Sequence, residues 1–448
     1  MSVDAEAGLL RVATAGSVDD GKSTLIGRLL WDAKAILEDQ VAAVTHASEA
    51  RGHDGVNLAM LTDGLRAERD QGITIDVAYR YFATPRRRFV LTDTPGHFEY
   101  TRNMVTGASN ADLAVILVDA RNGVLEQTRR HAVIASMLHL PHVVVAVNKM
   151  DLVDWDESVF TAICTELTAF VNRFDEPSLT FIPMSAKLGD NVVDPSDHMP
   201  WYDGPPLLRY LEEVPLDDPA HDLAARLPVQ WVVAPTAGDG AGTTDANGGP
   251  GQPGFAGQLV AGTLRTGDEV VVLPGGVSST VASIDSLSGP VEEASAGAAV
   301  TVRLTDAVAV DRGDMMVLKG SEPQVGDGLE ALVCWMADAP LVVGASYRLK
   351  HTSRWTIAVV ADLHYRLDIE TLDHVAAAAL GPNDIGSVAL RLSDDLVFDP
   401  YRANRSTGSF ILVDEDTNVT VAAGMIVAVD GGGDGDVDRL DRPVPTAG

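Results

Sequence analysis

Cysteine is nearly absent from this chain: its 448 residues hold two, Cys164 and Cys334. They lie far apart among apolar neighbours, so they read as small buried hydrophobes and exclude a disulfide framework or a zinc site. Lysine is almost as scarce, with six residues, Lys22, Lys34, Lys149, Lys187, Lys319 and Lys350, in a sequence that otherwise uses arginine for positive charge. No run of about 18 uncharged apolar residues occurs, so no membrane-spanning helix is expected. The first ten residues include Asp4 and Glu6 and lack a basic region or a long apolar run. That argues against a signal peptide and for a cytoplasmic location. Positive charge is short overall: 33 basic residues stand against 64 acidic ones, for a net charge of −31. Such a chain repels polyanions at long range, which argues against binding long RNA or DNA through phosphates.

What is present falls into two textures. In the first half, apolar runs at Arg11–Ala15, Phe89–Leu91, Leu113–Val118, Val143–Val147 and Thr180–Pro183 read as buried parallel strands. Helical patterns lie between and after them, at Ser23–Trp31, Gln127–Leu138, Val159–Val171 and Leu207–Glu213. This alternation predicts a doubly wound α/β domain over 1–214. Residues 215–227, with Pro215 and Pro219, read as a linker. Beyond them, short Val-rich runs such as Gln258–Val260, Glu269–Leu273 and Ala299–Leu304 recur between Gly and Asp turns. They predict two β-barrels, over 228–328 and 329–430, with a Gly-rich loop at 238–254 in the first. Residues 431–448, rich in Gly, Asp and Pro, are expected to form a flexible tail.

The lysines point to the chemistry. Gly16, Ser17, Val18, Asp19, Asp20, Gly21, Lys22 and Ser23, followed by Thr24, match G-x-x-x-x-G-K-[ST] between a strand and a helix pattern. The glycines let backbone N–H groups turn toward phosphates, and the helix N-terminus adds its positive end. Lys22 is expected to reach the β- and γ-phosphates and the Ser23 hydroxyl to ligate Mg2+. Asp93, Thr94, Pro95, Gly96 and His97 follow the strand at 89–91. At this spacing Asp93 is a candidate to hold Mg2+, Gly96 to give its N–H to a γ-phosphate, and His97 to orient the attacking water. Thr74, between the two motifs, is a candidate Mg2+ ligand and γ-phosphate sensor. Asn148, Lys149 and Asp151 form N-K-x-D at the end of a strand, and Ser185, Ala186 and Lys187 follow a later one. The Asp151 carboxylate suits guanine N1–H and the exocyclic amine that adenine lacks. The Lys149 stem suits the base face, Asn148 a tie to the phosphate loop, and a backbone N–H of 185–187 the 6-keto oxygen. N-K-x-D alone is weak, but four motifs in this order specify GTP with Mg2+. His131, His139 and His142 have no acidic partner at metal-ligand spacing and read as helix-face or loop histidines. Arg348, Lys350, His351 and Arg354 form a basic stretch, read as strand surface charge or as a contact for an acidic partner or the nucleotide domain.

With these residues in hand, the chain resembles the translation-factor class of GTPases over residues 9–430, with a P-loop GTPase domain followed by two β-barrels. Within that class it is similar to the GTPase subunits of sulfate adenylyltransferases. The similar segments run from Ala67 to Phe82, Tyr100 to Met104, Val118 to Gln127, Phe398 to Arg402 and Thr407 to Val413. Gln71 stands where translation factors usually carry Arg. The resemblance implies a smaller catalytic sulfate adenylyltransferase subunit (CysD-like) as partner, which makes adenylyl sulfate and diphosphate from ATP and sulfate while GTP is hydrolysed. It also implies that ATP and sulfate bind chiefly to that partner. Some relatives carry a C-terminal adenylylsulfate kinase domain. With one phosphate loop, and the chain ending at Gly448, that activity is expected to be absent. An elongation factor delivering tRNA and a regulatory GTPase without a metabolic reaction are the alternatives. The net charge and the segments just named argue against the first.

Overall fold

The structure is a computed structural model, and it describes residues 8–34, 58, 78–94, 101–173, 179–216, 219–234 and 252–429. The chain divides into two compact units, the first holding a six-stranded sheet and the second both barrels.

In the first unit, strands β1 (Leu9–Ala15), β2 (Ala78–Ala83), β3 (Arg88–Asp93), β4 (Leu113–Asp119), β5 (His142–Asn148) and β6 (Leu179–Pro183) lie in the order β2-β3-β1-β4-β5-β6. All pairings are parallel except β2 with β3. Every residue of β4 is buried, as expected of a central strand covered on both faces. The helices are α1 (Lys22–Asp32), α2 (Thr101–Ala108), α3 (Glu126–Met137), α4 (Glu157–Val171) and α5 (Leu207–Glu213). Helix α4 starts two residues before the apolar pattern does, because the Asp156 carboxylate accepts the Ser158 N–H at 2.7 Å and caps it. Leu25, Ile26 and Leu29 of α1 pack with Leu10, Val12, Leu91, Val115 and Leu211 in one core. Strand β1 has β3 on one side and β4 on the other, so the sheet changes direction of winding at its carboxyl end. That crevice is where ligands bind in open α/β sheets.

In the second unit, the first barrel joins strands 226–228, 315–318, 269–273, 277–286, 299–304, 254–258 and 231–233 in that spatial order. It comes round on itself through a bridge between Arg226 and Ala261. The sheet therefore begins at Arg226, two residues inside the segment read as a linker. The run read as Gln258–Val260 ends its strand at Gln258, because the Val260 N–H turns to bond the Arg226 carbonyl at 2.9 Å. Residues 235–251, most of the Gly-rich stretch, lie outside the described residues, as does the tail 431–448. The second barrel orders strands 346–351, 409–413, 420–429, 324–335, 385–398 and 354–367, and the pairing of 346–351 with 354–367 closes the ring.

A buried ion pair links the barrels. The Arg226 guanidinium donates from Nε and Nη2 to the two carboxylate oxygens of Asp399, each at 3.0 Å, and the Thr407 hydroxyl donates to Asp399 at 2.6 Å. Beside it Val271, Leu273, Met315 and Val317 of one barrel pack on Val397 of the other.

Strand alternation divides the basic stretch. Arg348 and Lys350 lie over the Trp355 ring, 4.4 and 5.6 Å from its centroid. Arg354 pairs with Asp314 at 3.5 Å. His351 points inward instead, 1% exposed, with Nε2 at 2.7 Å from the Thr407 carbonyl oxygen. Burial pushes the His351 pKa down from 6.5 to about 4, against the pull of the Thr407 carbonyl and Asp399. A depressed histidine pKa means the unfolded chain takes the proton first. The His351 contribution is thus complete above about pH 6.5 and is lost as pH falls toward 4. Between pH 7 and 5 this amounts to roughly 2 kcal/mol. Denaturant unfolding at the two pH values should show a smaller loss for His351→Gln than for wild type, by about that amount. Equal losses would contradict the assignment.

Candidate nucleotide-binding site

Strand β1 delivers the chain to residues 16–21, and α1 starts at Lys22 behind Gly21, whose φ is 96°. The first helical bond runs from the Leu25 N–H to the Gly21 carbonyl at 2.9 Å. The N–H groups of Lys22, Ser23 and Thr24 are therefore left without helical partners at the positive end of the helix. The loop is braced from within. The Ser17 N–H donates to the Asp20 carboxylate at 2.6 Å, and the Asp20 N–H returns to the Ser17 carbonyl at 3.3 Å. Asp19 takes a left-handed conformation with φ 65°, and Val18 is exposed at the loop tip.

Lys22 is buried and donates to the Gly16 carbonyl at 3.1 Å. Burial pushes its pKa down, while Asp93, Asp20 and Asp19 hold the charge in place. Burial likewise raises the Asp20 pKa to about 6, against the Ser17 N–H and Lys22. The Ser17 hydroxyl oxygen is buried without a hydrogen-bond partner among the described residues. Among the described residues, an ammonium with one hydrogen bond, a hydroxyl with none and three N–H groups without helical partners fit a polyphosphate. Asp93 ends β3 at 3% exposure, opposite Thr14 of β1 in the register, which sets it beside the loop. The next residue, Thr94, donates its hydroxyl to the Thr14 carbonyl at 2.6 Å. No group of three or more His, Cys, Asp or Glu side chains capable of holding a metal occurs among the described residues. The donor set for a cation here is a hydroxyl and a carboxylate beside a phosphate cradle, which suits a hard ion sharing phosphate oxygens. Thr74, Gly96 and His97 lie outside the described residues.

The motifs expected to read a base meet the loop expected to hold phosphates through one side chain. Asn148, at the end of β5 and 2% exposed, donates its amide to the Asp20 carbonyl at 2.8 Å and accepts the Ala186 N–H on Oδ1 at 2.9 Å. A Cβ on Gly21 would lie 2.5 Å from the Asn148 amide nitrogen, so position 21 admits only glycine. Lys149, at φ 64°, turns its ammonium back to the Asp19 carbonyl and to Asp119, 2.9 Å away. Asp151 sits half-buried on a short 3-10 turn, Met150–Val153. Its carboxylate makes no hydrogen bond or ion pair among the described residues. In the 185–187 loop, the Ser185 N–H bonds the Asp190 carbonyl at 3.1 Å and the Ala186 N–H is taken by Asn148. That leaves the Lys187 N–H as the one of the three without a hydrogen bond among the described residues.

Asp119 and Arg121 were not singled out from the sequence as site residues. Burial opposes ionisation of Asp119, but bonds from Arg121 and Lys149 outweigh it and bring its pKa to about 2. The signal was available: an acid closing an apolar strand run, Leu113–Val118. The three histidines take structural places. His131 is 1% exposed with its pKa pushed down by burial to about 3, His142 meets the Pro215 carbonyl at 3.0 Å, and His139 ends the turn after α3.

Comparisons with known proteins place the chain in a family. Residues 8–217 match the family model of the elongation factor Tu GTP binding domain, and residues 328–427 that of the GTP-eEF1A C-terminal domain-like family. Sulfate adenylyltransferase subunit 1 of Laribacter hongkongensis is 48% identical over 421 residues, covering 93% of this chain and 85% of that protein. The chain belongs to the sulfate adenylyltransferase subunit 1 family. The bifunctional enzyme CysN/CysC of Mycobacterium tuberculosis H37Rv is 53% identical over 421 residues, covering 94% of this chain and 67% of that protein. A crystal structure of sup35 complexed with GDP aligns over 94% of both chains at 22% identity, with a TM-score of 0.42. Within the family's architecture, a GTP-binding α/β domain precedes two β-barrels, and no described helix is long and apolar enough to cross a membrane.

The Asp151 carboxylate, without a hydrogen bond among the described residues, gives a specific expectation. Asp151→Asn should lose GTP affinity and gain affinity for xanthosine triphosphate, whose C2 oxygen suits an amide donor. Competition binding against a fluorescent guanine nucleotide measures both. Full GTP affinity with no gain for the xanthine nucleotide would remove Asp151 from base reading.

Proposed function

We propose that this chain is a cytoplasmic GTPase that binds GTP with Mg2+ and couples its hydrolysis to adenylyl sulfate synthesis. The synthesis, ATP + sulfate → adenylyl sulfate + diphosphate, takes place on a smaller catalytic (CysD-like) subunit. The observation that carries the nucleotide half of the reading is the Asn148 side chain bonded at once to Asp20 of the phosphate loop and Ala186 of the base loop. Family membership supports the metabolic half.

In this reading the N–H groups opening α1 and the Lys22 ammonium hold the phosphates, and Asp151 and the Lys187 N–H read guanine. Lys149 covers the base with its stem while its ammonium stays pinned to Asp119. Ser23, Thr74 and Asp93 are the side chains that would hold Mg2+, which when bound neutralises charge developing on the phosphates. His97 orients the attacking water. The sequence motifs supply no arginine finger, so the lone subunit hydrolyses GTP slowly and gains rate from its partner. Coupling requires that the GTP and GDP forms differ in affinity for that partner, since a ligand shifts an equilibrium only by its differential affinity.

A paired assay of phosphate release and adenylyl sulfate in the reconstituted complex tests the reading. His97→Ala should keep GTP binding and complex formation while losing partner-stimulated hydrolysis and the GTP-dependent gain in adenylyl sulfate. A variant hydrolysing GTP at the stimulated rate removes His97 from the mechanism. A wild-type complex whose adenylyl sulfate yield ignores GTP removes the coupling.

A further inference from the structure

Helix α1 does more than open the phosphate site. Six residues beyond Lys22 it places Arg28, whose side chain is 19% exposed. The guanidinium donates from Nε to the Ala186 carbonyl at 3.2 Å and from Nη2 to the Lys187 carbonyl at 2.5 Å. Its remaining nitrogen lies 3.6 Å from Asp32, one turn on. Gly189, in a left-handed conformation with φ 98°, lets the chain turn closely over the arginine, where a Cβ would sit 3.9 Å from the guanidinium carbon. A planar fork held at both ends fixes direction as well as position.

The peptide that joins Ala186 to Lys187 is the one that matters. In a trans peptide the C=O and N–H point in opposite directions across one rigid plane. Arg28 holds the C=O of that plane, so it also sets where the Lys187 N–H points, which is away from α1. The preceding N–H, on Ala186, is already taken by Asn148. Of the three N–H groups in the base loop, the one aimed by Arg28 is the one left for a ligand.

We propose that Arg28 is a positioning residue for base recognition: by clamping the Ala186–Lys187 peptide it presents the Lys187 N–H to the 6-keto oxygen of the purine. The proposal rests on the reading of this site as a guanine site. It adds a link between the two ends of the nucleotide, since the helix that starts with the phosphate lysine also aims the base-reading amide. A lysine at position 28 offers no planar fork and holds at most part of this geometry.

The test uses three diphosphates that share ribose and phosphates but differ in base edge. GDP has the 6-keto oxygen and the 2-amino group, inosine diphosphate has only the first, and 2-aminopurine riboside diphosphate has only the second. Calorimetry on the full chain with Arg28→Met, which keeps an apolar stem, is expected to show roughly tenfold weaker binding of GDP and of inosine diphosphate, one hydrogen bond's worth. Binding of the 2-aminopurine nucleotide should stay within about twofold of wild type. Arg28→Lys should fall between, which guards against a folding defect in the methionine variant. Equal weakening for all three nucleotides would make Arg28 a merely structural residue, and no weakening for any would also overturn the proposal. Wild-type protein that holds all three equally would overturn the guanine reading and the proposal together. Loss greatest for GDP in Asp151→Asn, since GDP alone offers both N1–H and the 2-amino group to that carboxylate, beside an unselective Arg28→Met, would leave the guanine reading standing and remove Arg28 alone.

Discussion

The carboxamide of Asn148 is the point on which the nucleotide site depends. It is buried, it has one donor end and one acceptor end, and each end holds a different loop: the Asp20 carbonyl on one side and the Ala186 N–H on the other. An amide is the side chain suited to this, since a carboxylate lacks the donor and a hydroxyl lacks the reach. Its neighbours are arranged around it. Gly21 has no Cβ because the Asn148 nitrogen occupies that space, and Lys149 leaves the strand in a left-handed turn that sends its ammonium back over Asp19. Three loops from three strand ends thereby become one surface. The carboxyl ends of adjacent parallel strands bring them close enough for this, which is a property of the strand order rather than of any single motif.

Charge is handled differently at the two ends of that surface. Around the phosphate loop, Lys22 and Asp20 are both buried, and burial moves both toward neutrality, the lysine downward and the carboxyl to about 6. A buried charge without full compensation is costly, so a site that keeps one exchanges its cost for affinity toward the missing counter-charge. A polyphosphate supplies it locally, whatever the net charge of −31 does at long range. At the base end the charges are settled within the protein. Asp119 is held ionised by Arg121 and Lys149, which fixes the lysine ammonium and leaves Asp151 as a carboxylate with no hydrogen bond among the described residues. In the second unit the Arg226–Asp399 pair follows the same rule, fully hydrogen-bonded because it is buried.

The parts of this structure most legible in the sequence are those where a short-range pattern has one physical solution. Strands β1, β3, β4, β5 and β6 were each visible as apolar runs, because a strand covered on both faces has no polar alternation. Strand β2 was not, since it lies at the sheet edge with Tyr79 and Tyr81 exposed and resembles a loop with β-branched neighbours. The alternation that turns His351 inward and Lys350 outward was readable in principle from the period of two. Treating residues 348–354 as a single basic stretch concealed it. A contact such as Arg226 with Asp399 connects positions whose separation in sequence carries no signal. The same holds for Asp119: its strand was evident, but its ion pair with Lys149 exists only because β4 and β5 end side by side in the register.

If one amide joins the phosphate and base loops, removing it should disable nucleotide binding without unfolding the chain. Calorimetric titration of GDP into Asn148→Ala, beside thermal melts of both proteins, puts the account to its most direct test. Two buried hydrogen bonds lost together predict a fall in affinity of roughly thirty- to a hundredfold, with most of the melting temperature retained. GDP affinity equal to that of wild type in a folded Asn148→Ala protein would contradict the account.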